Sequence, residues 1–179
     1  MGLSDKRFST LDITRTALLL AAALILSWVE SVLPFQIPVP GVKLGLANIV
    51  TLFFFFLFSF PVALLFGLLR ALLSSLFLGR LSGLAFSLCG TVLSVCGMAL
   101  LKKCRCFSSL GVSAAGAVLH GVGQLAAASF LLTPGVWMTL PLMGLSSVFC
   151  GVITWIPLRI LTRYSGVLRT KKYKNLKKE

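Results

Sequence analysis

The chain has 179 residues, of which 58% are hydrophobic and 12% charged, with a mean hydropathy of +1.00. Charged residues make up about a quarter of ordinary soluble domains, so this composition excludes one and points to an integral membrane protein. The formal net charge of +13 suits nucleic acid in principle, but the positions of the charges assign it to membrane topology instead.

Apolar stretches of about twenty residues predict six membrane spans in one all-α bundle. The first runs from about Ile13 to Leu33 and is closed by Pro34. It is span-length and carries Glu30 near its far end, so it does not read as a cleaved signal peptide. The loop PFQIPVPGVK follows, and the second span runs from about Leu44 to Phe60, with Pro61 marking a tight turn. The third covers about Val62 to Leu78 and ends at Gly79-Arg80; the fourth covers about Leu81 to Leu101. After KKCRCFSS the fifth covers about Leu110 to Leu132, and after TPG the sixth covers about Val136 to Leu161. Residues 1–12 are then a cytoplasmic N-terminal segment, 13–163 the six-helix transmembrane domain and 164–179 a basic cytoplasmic tail. No internal repeat is evident, which counts against transporter folds built from inverted halves.

Cytoplasmic loops carry an excess of Lys and Arg. With the N-terminus inside, fourteen of the seventeen basic residues fall on inner segments, among them Lys6, Arg7, Arg15, Lys102, Lys103, Arg105 and the tail from Arg159 onward. The outer loops keep Lys43 and Arg80, and Arg70 lies within a span. Both ends are therefore expected in the cytoplasm. The tail reads first as a topology signal, with contact to anionic lipid as the alternative.

Ionisable residues inside a bilayer are costly, and each is a functional candidate. Glu30 is the only acidic residue between Asp12 and Glu179, and Arg70 lies near the middle of the third span. His120 and Gln124 are one helical turn apart and share a face of the fifth span. Asn48 begins the second span just below Lys43. These residues fall between mid-membrane and the outer surface. A substrate pocket open to the outside is expected there, with Glu30 paired to Arg70 or Lys43 and with His120 and Gln124 hydrogen-bonding a ligand. A structural ion pair and a satisfied core histidine are the alternative. Trp28, Trp137 and Trp155 fit interfacial belts. The run Phe53 to Phe56 reads as lipid-facing or packing. Small residues four apart, Ala17/Ala21, Gly67/Ala71, Gly90/Ser94 and Ser113/Ala117/Gly121, permit close helix approach. Most of these faces should pack inside the bundle, whereas an exposed one would be a docking face.

The five cysteines have no paired spacing with His that suggests zinc, so no metal site and no cofactor is expected. The P-loop pattern is absent, and Asp5 and Asp12 are the only aspartates. Holding a diphosphate through magnesium takes several carboxylates. The chain alone therefore reads as a binder or carrier, with no catalytic residues and no enzymatic activity of its own.

The stretches SWVESVLPFQIPVPGVKLGLANIVTLFFFF, LLRALLSSLFLG and GAVLHGVGQL resemble a bacterial membrane family labelled heptaprenyl diphosphate synthase component I, also Gx transporter family. The likeness spans about Thr14 to Leu161, and GVKLGLAN is its most specific motif. That family is similar to the substrate-binding S components of energy-coupling factor (ECF) vitamin transporters, small six-helix proteins that dock on a membrane coupling protein with two ATPases. The resemblance implies the bacterial cell membrane, a small-molecule substrate, and a first-helix docking face at Ala17 and Ala21. It also implies that the loop after the first helix helps close the site. Pro40-Gly41 would then turn the loop, Gly45 would pack closely, Lys43 would face an anionic or polar ligand and Asn48 would line the pocket. A prenyl diphosphate synthase needs aspartate-rich motifs that this chain lacks, so under the family label it would be an accessory membrane subunit. The basic groups in an apolar setting suggest a small amphipathic anion as ligand.

Overall fold

The computed structural model describes residues 10–32, 45–79, 81–104, 107–132, 134–145, 147–149, 152–153 and 155–156. Its helices are α1 (Thr10–Val32), α2 (Asn48–Leu57), α3 (Phe60–Phe77), α4 (Ser82–Cys104) and α5 (Ser109–Leu131). A 3-10 segment, Pro134–Thr139, then opens the last apolar helical stretch, Gly135–Phe149. The described residues up to Ile156 are also helical, and the rest of the expected sixth span lies outside the described residues.

Among the described residues four helices, α1, α3, α4 and α5, are long and apolar enough to cross a membrane. The second helix is shorter than its hydropathy suggests. Its ten residues rise about 15 Å, half of a hydrocarbon core roughly 30 Å thick. The expected start at Leu44 gives way to Asn48 for a backbone reason. Gly45 has φ of +94°, a conformation that disfavours any side chain. The chain turns there, and the Asn48 and Ile49 amides donate back to Gly45 O and Leu46 O at 2.9 and 3.1 Å. At the other end Phe58 and Ser59 are extended, with ψ of 174° and 158°, and Pro61 sits in the first turn of α3. Ser108 caps α5, its hydroxyl accepting from Gly111 N at 3.2 Å.

Within lipid, helix association comes from close packing rather than from removal of water, because lipid tails are as apolar as leucine. The sequence supplies that packing with small residues. The most extensive contact joins α4 and α5. A Cβ on Gly123 would lie 2.8 Å from Gly90 Cα and 2.9 Å from Cys89 O, so the two backbones touch. Ser94 Oγ donates to Gly116 O at 2.7 Å across the same seam. Gly67, Ala71, Gly90, Ser94, Ser113, Ala117 and Gly121 are all buried, as packing inside the bundle requires. Ala17 and Ala21 are exposed.

The short α2 sits against α1, α3, α4 and α5. Phe54 is fully buried and stacks on Phe58 and Phe66, with ring centroids 4.3 and 4.0 Å away. Lys102 Nζ lies over the rings of Phe55 and Phe56 at 5.0 and 5.5 Å, which places the Leu57 end of α2 beside the Cys104 end of α4. At its other end α2 meets the middle of the bundle. The Gly45 turn lies against His120, the central residue of α5, with 3.7 Å between His120 Cδ2 and the site of a Gly45 Cβ. The Phe run is thus packing rather than lipid-facing at Phe54 and Phe55, which are buried. Trp28 and Trp137 are 60% and 41% exposed, as interfacial residues are.

Candidate functional site

A buried polar centre forms where α1, the Gly45 turn, α3, α4 and α5 meet. The buried residues of α1 are Ala23, Ser27 and Glu30, one stripe at helical spacing. Ala23 packs into the same core cluster as Leu52 and Phe54, while Glu30 reaches the turn before α2. Glu30 Oε1 accepts a hydrogen bond from Gly45 N at 2.7 Å. A carboxylate at this position also faces the N-terminal end of α2, where the helix dipole favours negative charge.

Arg70 is 4% exposed and reaches α4, its Nη2 donating to Thr91 Oγ1 at 3.2 Å. Arg70 Nε has no hydrogen-bond partner among the described residues. Glu30 and Arg70 attract each other through charge. Glu30 Oε1 also binds the turn before α2, and Arg70 Nη2 binds Thr91. Gly67, one turn before Arg70, is where the two threonine methyls come together. A Cβ there would lie 2.5 Å from Thr91 Cγ2 and 3.0 Å from Thr51 Cγ2. The absence of a side chain on Gly67 lets α2, α3 and α4 converge.

His120 and Gln124 share one face of α5, with 2.8 Å between His120 Nε2 and Gln124 Nε2. With the amide nitrogen donating, His120 Nε2 is the acceptor and the ring proton sits on Nδ1. Gly90, next to Thr91, clears the space for this histidine. A Cβ there would lie 2.7 Å from His120 O, 2.9 Å from His120 Nδ1 and 3.0 Å from Gln124 Cγ. Two adjacent residues of α4 thus serve both sides of the centre: Thr91 binds Arg70 and Gly90 admits His120.

Of the six residues expected to bind substrate, Glu30, Asn48, Arg70, His120 and Gln124 are all buried and belong to this region. Lys43, Pro40 and Gly41 lie outside the described residues. Glu30 and Arg70 both belong to the centre, and Lys43, the other partner expected for Glu30, lies outside the described residues. Gly45 is expected to pack closely, but the space beside it is ordinary van der Waals distance, and it is the positive φ that requires glycine there. Thr91 was missed, because a lone threonine in a helix carries no signal in one sequence. Gly90 was legible as a small packing residue, but its place beside His120 was not.

Among the described residues no group of three or more His, Cys, Asp or Glu side chains could hold a metal ion. Among the described residues Cys89 and Cys96 are free thiols, and Cys106 and Cys150 lie outside the described residues. The chemistry on offer is hydrogen bonding and charge inside an apolar bundle.

Neither a curated protein nor a solved structure matches the chain. A family model described as heptaprenyl diphosphate synthase component I matches residues 19–161, from the third turn of α1 past the last described helical residues, and so includes every member of the polar centre. The chain therefore belongs to the heptaprenyl diphosphate synthase component I family.

Proposed function

We propose that this membrane protein is the substrate-binding subunit of an ATP-driven uptake system, similar to the S components of ECF transporters. It takes a small vitamin- or cofactor-like molecule from the outer side of the bacterial cell membrane. The observation that carries this reading is the convergence of Glu30, Gly45, Arg70, Thr91, His120 and Gln124 in one buried centre. Polar groups this deep are costly, and a chain that lacks catalytic motifs keeps them for binding. Glu30, Lys43, Asn48, Arg70, His120 and Gln124 are the proposed substrate-binding residues. The charge asymmetry supports cytoplasmic termini and an outward-facing site.

In this reading the membrane coupling protein docks on α1. Ala17 and Ala21 are exposed small residues one turn apart, which supports a close helix approach there. The coupling protein and its two ATPases supply the energy, since this chain has no phosphate-binding loop.

The family description favours a second reading, a non-catalytic membrane subunit of a heptaprenyl diphosphate synthase. Purifying the tagged chain in mild detergent from its native cells separates the two. Recovery of a membrane protein with paired ATPases, lost on Ala17→Leu or Ala21→Leu, supports uptake. Recovery of an aspartate-rich prenyl synthase in their place overturns it.

A further inference from the structure

Four buried polar atoms near one level of the bundle lack a hydrogen-bond partner among the described residues: Ser27 Oγ, Asn48 Oδ1, Thr51 Oγ1 and Arg70 Nε. Their residues are 2%, 2%, 0% and 4% exposed. Such atoms are rare, because leaving one unmade costs about 1–3 kcal/mol, and each calls for an explanation.

Their common level follows from helix register. Helices α2 and α3 run antiparallel, with Thr51 at Gly67 and Phe54 stacked on Phe66. Three residues along each, about 4.5 Å, Asn48 comes level with Arg70. On α1, Ser27 lies one turn below Glu30. On the other strand of that contact, Asn48 lies one turn below Gly45, to whose carbonyl its amide is bonded. Three helices thus bring unpaired groups to a similar level of the bundle.

The unpaired groups are complementary to each other in kind. Arg70 Nε can only donate, Asn48 Oδ1 can only accept, and the two hydroxyls do either. The local charges are already matched. Arg70 is attracted to Glu30, and Glu30 already occupies the favourable anion position at the start of α2. The Asn48 and Ile49 amides, which would otherwise cradle an anion, are bonded to Gly45 O and Leu46 O. An added anion would leave a buried negative charge with no partner among the described residues, a strongly unfavourable arrangement.

We propose that the polar end of the substrate is an uncharged group with a donor beside an acceptor, such as an amide, lactam or imide edge. Its carbonyl takes Arg70 Nε, its N–H takes Asn48 Oδ1, and the Ser27 and Thr51 hydroxyls complete the shell. This rests on the substrate-binding reading above and replaces the anion suggested by the excess of basic residues. The four atoms are sealed by packing, so the group enters with a small separation of α2 from α3 at the methyl contact on Gly67.

The test uses the full-length chain in mild detergent, with 2-naphthamide and 2-naphthoate as matched probes and thermal unfolding as the readout. The amide should raise the melting temperature in a saturable way and the carboxylate should not. Thr51→Val keeps the methyl packing and loses an unpaired hydroxyl. It should unfold at a temperature no lower than the parent and bind the amide about tenfold more weakly. Asn48→Asp should abolish the amide response. Equal or greater stabilisation by the carboxylate overturns the proposal, as does silence from both probes or an unchanged amide response in Thr51→Val. None of these outcomes touches the uptake reading, which stands or falls on the subunits that co-purify.

Discussion

The Gly45 amide donates to Glu30 Oε1 at 2.7 Å, and the α-carbon that carries it can bear no side chain without strain. One residue thus fixes the end of the α1–α2 connection to α1 on one side and sets it against His120 on the other. The space beside Gly45 is ordinary van der Waals distance, so the constraint is in the backbone. Gly45→Ala should cost about 1–2 kcal/mol from the positive φ, while Gly45→Asn, which tolerates that region better, should cost less. Thermal unfolding in detergent ranks the two, and equal losses would place the constraint in space rather than in φ.

Glu30→Gln keeps an acceptor for Gly45 and removes the charge. The loss then isolates the electrostatic attraction to Arg70, and leaving Arg70 unbalanced should cost about 3 kcal/mol. Arg70→Met should cost a similar amount. The double variant should cost less than the sum of the two, with a coupling of about 1 kcal/mol or more in a double-mutant cycle. Strict additivity would show that the two charges do not stabilise each other.

The α4–α5 seam predicts a sharp contrast between glycines. A methyl on Gly123 meets the Gly90 Cα and the Cys89 carbonyl, both backbone, at 2.8 and 2.9 Å. Neither atom can give without moving a helix, so Gly123→Ala should destabilise by about 2 kcal/mol. Gly144 has no atom within 4 Å of a new Cβ, and Gly144→Ala should be neutral or stabilising by up to about 1 kcal/mol. Unfolding measured side by side checks the pair.

Ala17 and Ala21 are exposed on α1, so neither contributes to the core. Ala17→Leu and Ala21→Leu should leave stability within about 0.5 kcal/mol of the parent, while binding to a coupling protein falls. Loss of folding in either variant would mean that α1 packs differently.

His120 and Gln124 are bonded to each other within one face of α5. Gln124→Leu removes that bond and leaves His120 to other partners. Retained small molecule, measured by mass spectrometry of the purified chain, should fall by about tenfold, the scale of one buried hydrogen bond. Unchanged retention would remove this pair from the site.

Much of the bundle was legible because lipid imposes a simple rule on composition. Proline at 61, serine at 108 and glycine at 79 stand at the observed helix ends, and the long apolar runs became helices. The length of α2 was not legible. Leu44, Leu46 and Ala47 are as apolar as a helix interior, so hydropathy runs straight through a turn set by one backbone angle. In the site, Glu30, Arg70 and His120 stood out because an ionisable residue in an apolar run has a cost that demands a reason. Their actual partners were hidden. Gly45 contributes a backbone amide, Thr91 a single hydroxyl and Gly90 an absence of atoms, and none of these changes the polarity of a sequence window.

The brevity of α2 has a consequence for how the protein is made. A ten-residue apolar segment is too short to be released into lipid as a stable span of its own. It can enter together with α3 as a hairpin across Phe58 and Ser59, but the surfaces it packs on belong partly to α4 and α5, which emerge later from the ribosome. The centrepiece of the bundle is therefore seated last. Biogenesis has a post-insertion step in which an already delivered segment sinks into place, and a chain truncated before α5 should expose α2 to proteases that the complete bundle resists.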